Sequence, residues 1–204
     1  MSTTTIDLHT FLRTRRSIRR FKPDPVPDSV IENILTTATF APSAHNRQPW
    51  RFCVVTDKSV TTNLADAMAV EFERDLEKDK LPHAEIQKRI TRSRERMLGA
   101  PVIIILNVDM TDMDVYPDEK RNKAEYLMAV QSIANAGMQM LLAAHAEGLG
   151  GVWVCSPLFV QETIQNILDL PKTWEPQGMF FLGHFQDIPE VRERKPLDTV
   201  VLRR

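Results

Sequence analysis

Two cysteines in 204 residues, Cys53 and Cys155, are too few for a disulfide framework. Both lie in apolar strand-like contexts, RFCVV and VWVCS, where buried thiols are expected. Two separated cysteines exclude a zinc constellation as well. The triplet HAE begins at His83 and again at His145, but the Pro-Cys-x-x-Cys partner of a zinc deaminase is missing. An excess of either charge is also lacking: 26 lysines and arginines meet 27 aspartates and glutamates, so no global field attracts nucleic acid or an anionic membrane. The amino terminus, MSTTTIDLHTFLRTRR, has no continuous apolar core and does not read as a signal peptide. No stretch approaches the roughly 20 apolar residues of a membrane span. Repeats and low-complexity segments are absent. The expectation is a soluble, cytoplasmic, globular protein with no nucleic-acid or membrane partner.

What is present reads as one α+β domain over residues 1–204. Residues 5–16 predict a short helix with Ile6, Leu8, Phe11 and Leu12 on one side and a basic end. After the proline-rich KPDPVPDS, Asp28 or Ser29 opens a helix whose apolar residues repeat at three and four, and Pro42 stops it. WRFCVVTD is a strand. Residues 60–97 form two charged helices broken at Pro82, read either as solvated faces or as a lid over a site. APVIIILNVD predicts a strand buried on both faces. The helix over 121–147 is apolar on nearly every face, more than one chain of this size could cover, which predicts a dimer. Gly148 ends it, GGVWVCS and QGMFFLGHF are strands around a helix at 160–169, and PEVRERKPLDTVVLRR is an extended basic tail.

Three stretches carry polar chemistry. TRRSIRRF places four arginines and a serine at a helix end. Planar guanidinium forks and a hydroxyl suit phosphate oxygens, although a solvated basic helix end near the negative pole of the dipole also fits. APSAHNRQPWRF is a rigid, polar loop before a strand, the kind of place where ligands are held. GLGGVW runs helix, glycines, strand, the reverse of the dinucleotide fingerprint, so that reading fails. Its glycines read as a helix cap and close packing, with room for a flat ligand near backbone amides. Cys155 as a nucleophile would need an activating base, for which His184 is the nearest candidate by pattern alone.

Taken in order, RRSIRRF, APSAHNRQPWRF, AEGLGGVW and RERKPLDTVV resemble the nitroreductase superfamily of FMN-dependent reductases, over about Leu8 to Val201. More narrowly, LADAMAVEFERDLEKDKLP, the YPD turn, GLGGVWVCSPLF and LPKTWEPQG resemble the FMN-binding carboxy-terminal domain of the bifunctional enzyme that makes the deazaflavin coenzyme factor 420. The resemblance implies a nitroreductase-like fold, a single mixed or antiparallel sheet flanked by helices, in an intertwined homodimer. It implies FMN as cofactor, with NADH or NADPH as transient hydride donor and a small-molecule substrate.

By the same resemblance, Arg15, Arg16 and Ser17, joined by Arg194 or Lys195, match the phosphate-binding stretch. Arg19 matches the cation at the pyrimidine edge of the flavin, where positive charge favours the reduced ring. Pro42, Ser43, Ala44, Asn46 and Gln48 match a loop that serves the partner subunit's flavin. Val154, Cys155 and Ser156 match the segment whose backbone amide meets the hydride-accepting nitrogen. Many relatives carry glutamate and glycine where Cys155 and Ser156 stand, a change that a main-chain contact tolerates. Ring-edge counterparts from residues 60–97 have no assignment. The ligase half of the bifunctional enzyme is absent, implying a chain that acts alone or beside a separate ligase. The implied activity is hydride transfer from NAD(P)H through FMN to a nitroaromatic, quinone or activated alkene. Alternatives are reduction of the dehydro precursor of factor 420, non-catalytic flavin or deazaflavin binding, and oxidative flavin degradation; the flavin does the chemistry and no catalytic side chain is assigned.

Overall fold

The most apolar run of the sequence lies in the interior of the sheet. The computed structural model describes residues 7–204; Thr5 and Ile6 of the expected first helix lie outside the described residues. Strand β1 (Trp50–Val55) and strand β4 (Trp174–Gly183) flank β2 (Val102–Asp109), and β3 (Gly150–Val154) adds beyond β4. The order is β1-β2-β4-β3, with every strand pair antiparallel. All residues of β2 are buried. Their alternation sends Val102, Ile104, Leu106 and Val108 into one core and Ile103 and Ile105 into another.

The first core is closed by α2 (Asp28–Ala38) and α5 (Glu119–Ala146). The second is closed by α3 (Lys58–Lys78), α4 (His83–Leu98) and α6 (Gln161–Ile167). Helices α3 and α4 are a packed hairpin rather than two freely solvated rods: Leu64, Ala65, Met68 and Met97 belong to the second core. Pro82 caps α4, so the break falls where the sequence placed it.

One face of α5, through Ala129, Ile133, Ala136 and Met140, is buried in the first core. The other leaves Leu127, Ala134 and Met138 exposed, the surplus apolar surface expected from the sequence. By length and composition α5 could cross a membrane, which corrects the expectation that no stretch approaches that limit. Its packing on the sheet gives it the role of a core helix. The indole of Trp153 lies between Gly137 of α5 and Gly178 of β4; a Cβ at either glycine would stand 2.0 Å or 2.8 Å from the ring. That slot, with Phe180 edge-on at 5.5 Å, locks the end of β3.

Four details differ from the sequence reading. Helix α2 ends at Ala38, capped by Thr39, before Pro42 is reached. Strand β4 begins at Trp174 rather than Gln177, with Pro176 at the register shift opposite Leu106 and Asn107. Cys53 is half-buried and Cys155 is exposed, because β3 ends at Val154 and the chain turns outward there. In the first helix, α1 (Leu8–Thr14), Leu8 and Leu12 are exposed, and only Phe11 finds a partner, stacking on His145 at 4.8 Å.

Candidate functional site

Downstream of α1 the chain runs along the free edge of β3. Ser17 forms a parallel bridge with Gly151, and the Ile18 amide donates to the Gly151 carbonyl at 3.1 Å. The approach is possible because Gly150 has no side chain: a Cβ there would stand 2.8 Å from Ile18. This contact fixes Arg15, Arg16, Ser17 and Arg19 around a cavity of about 250 Å³ that the tail closes with Arg194. Lys195 does not line it, so of the two tail cations it is Arg194 that joins the cluster.

The cluster is cationic well beyond its one carboxylate, Glu190. One Arg15 nitrogen, Nη1, is buried and has no hydrogen-bond partner among the described residues. Burial, reinforced by Arg16 and Arg194, holds the Arg15 guanidinium below the usual arginine pKa. Arg16 donates to the carbonyls of Arg13 and Arg15, at 2.6 and 2.8 Å, and closes the end of α1. A buried, unmatched donor among like charges has the chemistry to accept a multiply charged oxyanion. Behind it, Thr14 Oγ1 meets His145 Nε2 at 3.1 Å and ties α1 to α5.

Arg19 also lines a second cleft, of about 260 Å³, and so joins the two. Its floor is the β3–β4 surface, with Val152, Val154, Met179 and Phe181; Ser156 stands at one end. Its wall is α4, with Arg89, Arg92, Ser93 and Arg96. An apolar sheet surface with a cationic rim suits a flat, electron-accepting ring. These α4 side chains line the cleft from the mid-chain region 60–97, for which sequence reasoning made no assignment. Their signal was a spacing of three and four within RITRSRERM, hidden in a longer charged run. Arg96 is half-buried; burial first, then Arg92 and Arg19, lower its pKa.

Cys155 is exposed at the start of the turn Ser156–Phe159 and does not line the cleft. Val154 pairs with Met179 while Gly150 pairs with Gly183, so His184 lies at the opposite end of that ladder. At about 3.4 Å per residue the separation is on the order of 15 Å, which rules out a Cys155–His184 dyad.

The loop residues Pro42, Ser43, Ala44, Asn46 and Gln48 are not brought to either cleft within the chain. They lead into β1, whereas Ser17 lies on β3, and these are opposite edges of the sheet. Three strand spacings amount to about 14 Å. The loop is nonetheless built with care. His45, Asn46 and Gln48 all have left-handed backbones, with φ of 50°, 54° and 52°. The Gln48 amide donates to Ser43 Oγ at 3.1 Å, the Ala44 amide donates to Ser132 Oγ at 3.2 Å, and Asn135 Nδ2 donates to the Pro42 carbonyl at 3.2 Å. Three non-glycine residues held in this sparsely populated region cost backbone energy that the surrounding hydrogen bonds have to offset. The loop is anchored on α5, close to the exposed apolar stripe, with Asn46 and Gln48 turned outward.

Comparison with known proteins gives the family and the fold. The model of the nitroreductase family matches residues 12–184. A protein of Thermus thermophilus named NADH dehydrogenase is 29% identical, over 97% of this chain and 96% of its own. A nitroreductase-like protein of Desulfovibrio desulfuricans, solved in complex with FMN, is 26% identical with a TM-score of 0.73, covering 98% of each chain. A BluB-like flavoprotein of Clostridium difficile 630 shares the fold, with a TM-score of 0.79 at 21% identity over 97% of this chain and 99% of its own.

Proposed function

The chain belongs to the nitroreductase family, and from that premise we propose that it is an FMN-dependent oxidoreductase that passes hydride from NADH or NADPH to an electron-poor small molecule. The observation that carries the reading is the buried, unpartnered Arg15 nitrogen in a cluster that Arg19 connects to a sheet-floored cleft. Bound there, FMN supplies reversible hydride storage, the chemistry that no side chain of this protein offers.

The chain's own residues bind, orient and set charge. Arg15, Arg16, Ser17 and Arg194 hold the phosphate, with several donors directed at one dianion. Arg19, which lines both clefts, would place its positive charge beside the bound ring and favour its electron-rich, reduced form. The backbone of Val154, Cys155 and Ser156 would serve the hydride-accepting part of the bound flavin. Pro42, Ser43, Ala44, Asn46 and Gln48 reach the ribityl chain and ring of a second copy. This assignment makes the protein a soluble, cytoplasmic homodimer joined through the apolar stripe of α5. The opposite-edge placement of loop and arginines supports it, because two-fold symmetry is the simplest way to unite them.

A narrower reading, reduction of the dehydro precursor of factor 420, draws support from the unpaired arginines of α4, which suit an acidic substrate. The decisive experiment is the visible spectrum of freshly purified protein before and after anaerobic NADH or NADPH. Flavin bands that bleach are expected. Bound flavin that stays oxidised with both donors would turn the assignment to a binding protein, and a colourless protein that takes up no FMN would refute it.

A further inference from the structure

We propose that the α4 wall of the cleft is a subsite for an anionic hydride acceptor, one that carries a carboxylate or phosphate. The inference rests on the oxidoreductase reading for its chemistry and on the arginines for its charge. Arg89, Arg92 and Arg96 repeat at three and four and therefore share one face of α4. All three line the cleft that Val154 and Ser156 also line, with Arg19 at the end and no carboxylate in the lining.

Two arginines of this helix are neutralised. Arg94 meets Asp66 at 2.6 Å, and Arg89 meets Glu85 at 2.8 Å. Arg19, Arg92 and Arg96 have no carboxylate within 4.0 Å among the described residues. They also border a neighbouring cavity of about 370 Å³, whose single carboxylate is Glu95. A solvated helix face spreads its charges or pairs them along the helix, as Glu85 and Arg89 do. Arg19, Arg92 and Arg96 instead converge on the same two cavities, and burial first, then Arg92 and Arg19, depress the pKa of Arg96.

Charge matching leaves a surplus. The phosphate has Arg15, Arg16 and Arg194, and the ring edge has Arg19 with Arg96 beside it. Arg92, farther along α4, remains for a ligand that shares the cleft, with Arg89 beside it on the same face but already held by Glu85. A guanidinium that meets a carboxylate or phosphate there gains a charge-assisted bond and relief from its neighbours' repulsion.

The test pairs 4-nitrobenzoate with 4-nitrobenzamide as acceptors for the FMN-loaded protein. The wild type is expected to favour the carboxylate in kcat/KM by about tenfold or more, the range of one charge-assisted contact. In Arg89→Gln/Arg92→Gln that ratio falls about tenfold, through KM, whereas Arg92→Lys retains part of it. Raising salt from about 50 to about 500 mM compresses the wild-type ratio. A ratio near one in the wild type, or one that the double variant leaves unchanged, overturns the proposal. A rise confined to the KM of NADH or NADPH also overturns it, assigning the charges to the donor's phosphates. Calorimetric titration of the protein as purified with 4-nitrobenzoate reads the site without turnover. Affinity about tenfold weaker in the double variant supports the subsite, and equal affinity refutes it. If neither nucleotide reduces the flavin, the oxidoreductase reading fails while the titration still decides the anion site.

Discussion

Replacing Gly150 by alanine should damage a site that the residue never touches. The added Cβ would meet the Cβ, Cγ1 and Cγ2 atoms of Ile18, each at 2.8 Å. Apolar carbons settle at about 3.5–4.0 Å, so the shortfall is about 0.7 Å or more. One of the three atoms is Ile18 Cβ, which no change of rotamer can withdraw, so the backbone around Ile18 has to move. The bond from its amide to Gly151, now 3.1 Å, would then stretch beyond useful range. Overpacking of about 1–3 kcal/mol plus about 1 kcal/mol for the bond gives a destabilisation of about 2–4 kcal/mol. The same displacement moves Ser17 and Arg19, whose backbones flank Ile18. Loss of one charge-assisted bond to the phosphate, about 1.5–3 kcal/mol, would weaken FMN by about 10–100-fold. Urea unfolding measures the first quantity, and quenching of flavin fluorescence on titration with apoprotein measures the second. A Gly150→Ala protein with wild-type stability and wild-type FMN affinity would refute the coupling of glycine, bridge and arginines.

Arg15→Ala combined with Arg19→Ala should leave a folded dimer that purifies without flavin; a yellow protein at full occupancy would show the cofactor assignment to be wrong. Met138→Glu, on the exposed stripe of α5, should yield a monomer in sedimentation and lose FMN with it, because in the proposed dimer the loop of one copy completes the site of the other. A monomer that keeps its flavin would place Pro42–Gln48 outside the site. Burial, with Arg15 and Arg16 adding, depresses the pKa of His145. The unfolded chain therefore binds the proton more tightly, so stability is intact above about pH 6.5 and is lost as pH falls through the lower folded value. Unfolding midpoints at pH 7.5 and 5.5 should differ less in His145→Gln than in the wild type; an equal difference would remove His145 from the account.

Where the residues spoke in periods, the sequence was a good guide. The apolar run of β2, the surplus surface of α5 and the break at Pro82 all follow from patterns that a single chain displays, and the structure bears them out. The start of β4 did not show itself, because Glu175 breaks the apolar pattern. Its carboxylate accepts from Gln177 on the same strand and, from afar, from Tyr126 and Gln161, and no local rule announces the distant partners. The strained loop was equally silent in detail: left-handed backbones at His45, Asn46 and Gln48 use none of the glycines that normally signal them. Arg15, Arg16 and Ser17 were legible as a group through motif resemblance, with the tail cation left between Arg194 and Lys195, and the structure brings the three and Arg194 together around one cavity. The wall of α4 required three dimensions, since only packing shows which face of a charged helix turns inward.

The run Val102–Leu106 carries a hazard along with its structural role. It holds no charge, proline or glycine, and β-branched residues dominate it, the composition of a segment that stacks readily on copies of itself. Its protection is positional, through pairing with β1 on one side and β4 on the other. Of the two guards, β1 is the outermost strand, held near its start by Arg51 to Asp109 at 3.2 Å and to Asp112 at 3.6 Å. Peeling of β1 would bare the ladder of β2 while the rest of the sheet stayed intact. Resistance to aggregation is therefore set at that edge, and Arg51 acts there as a latch.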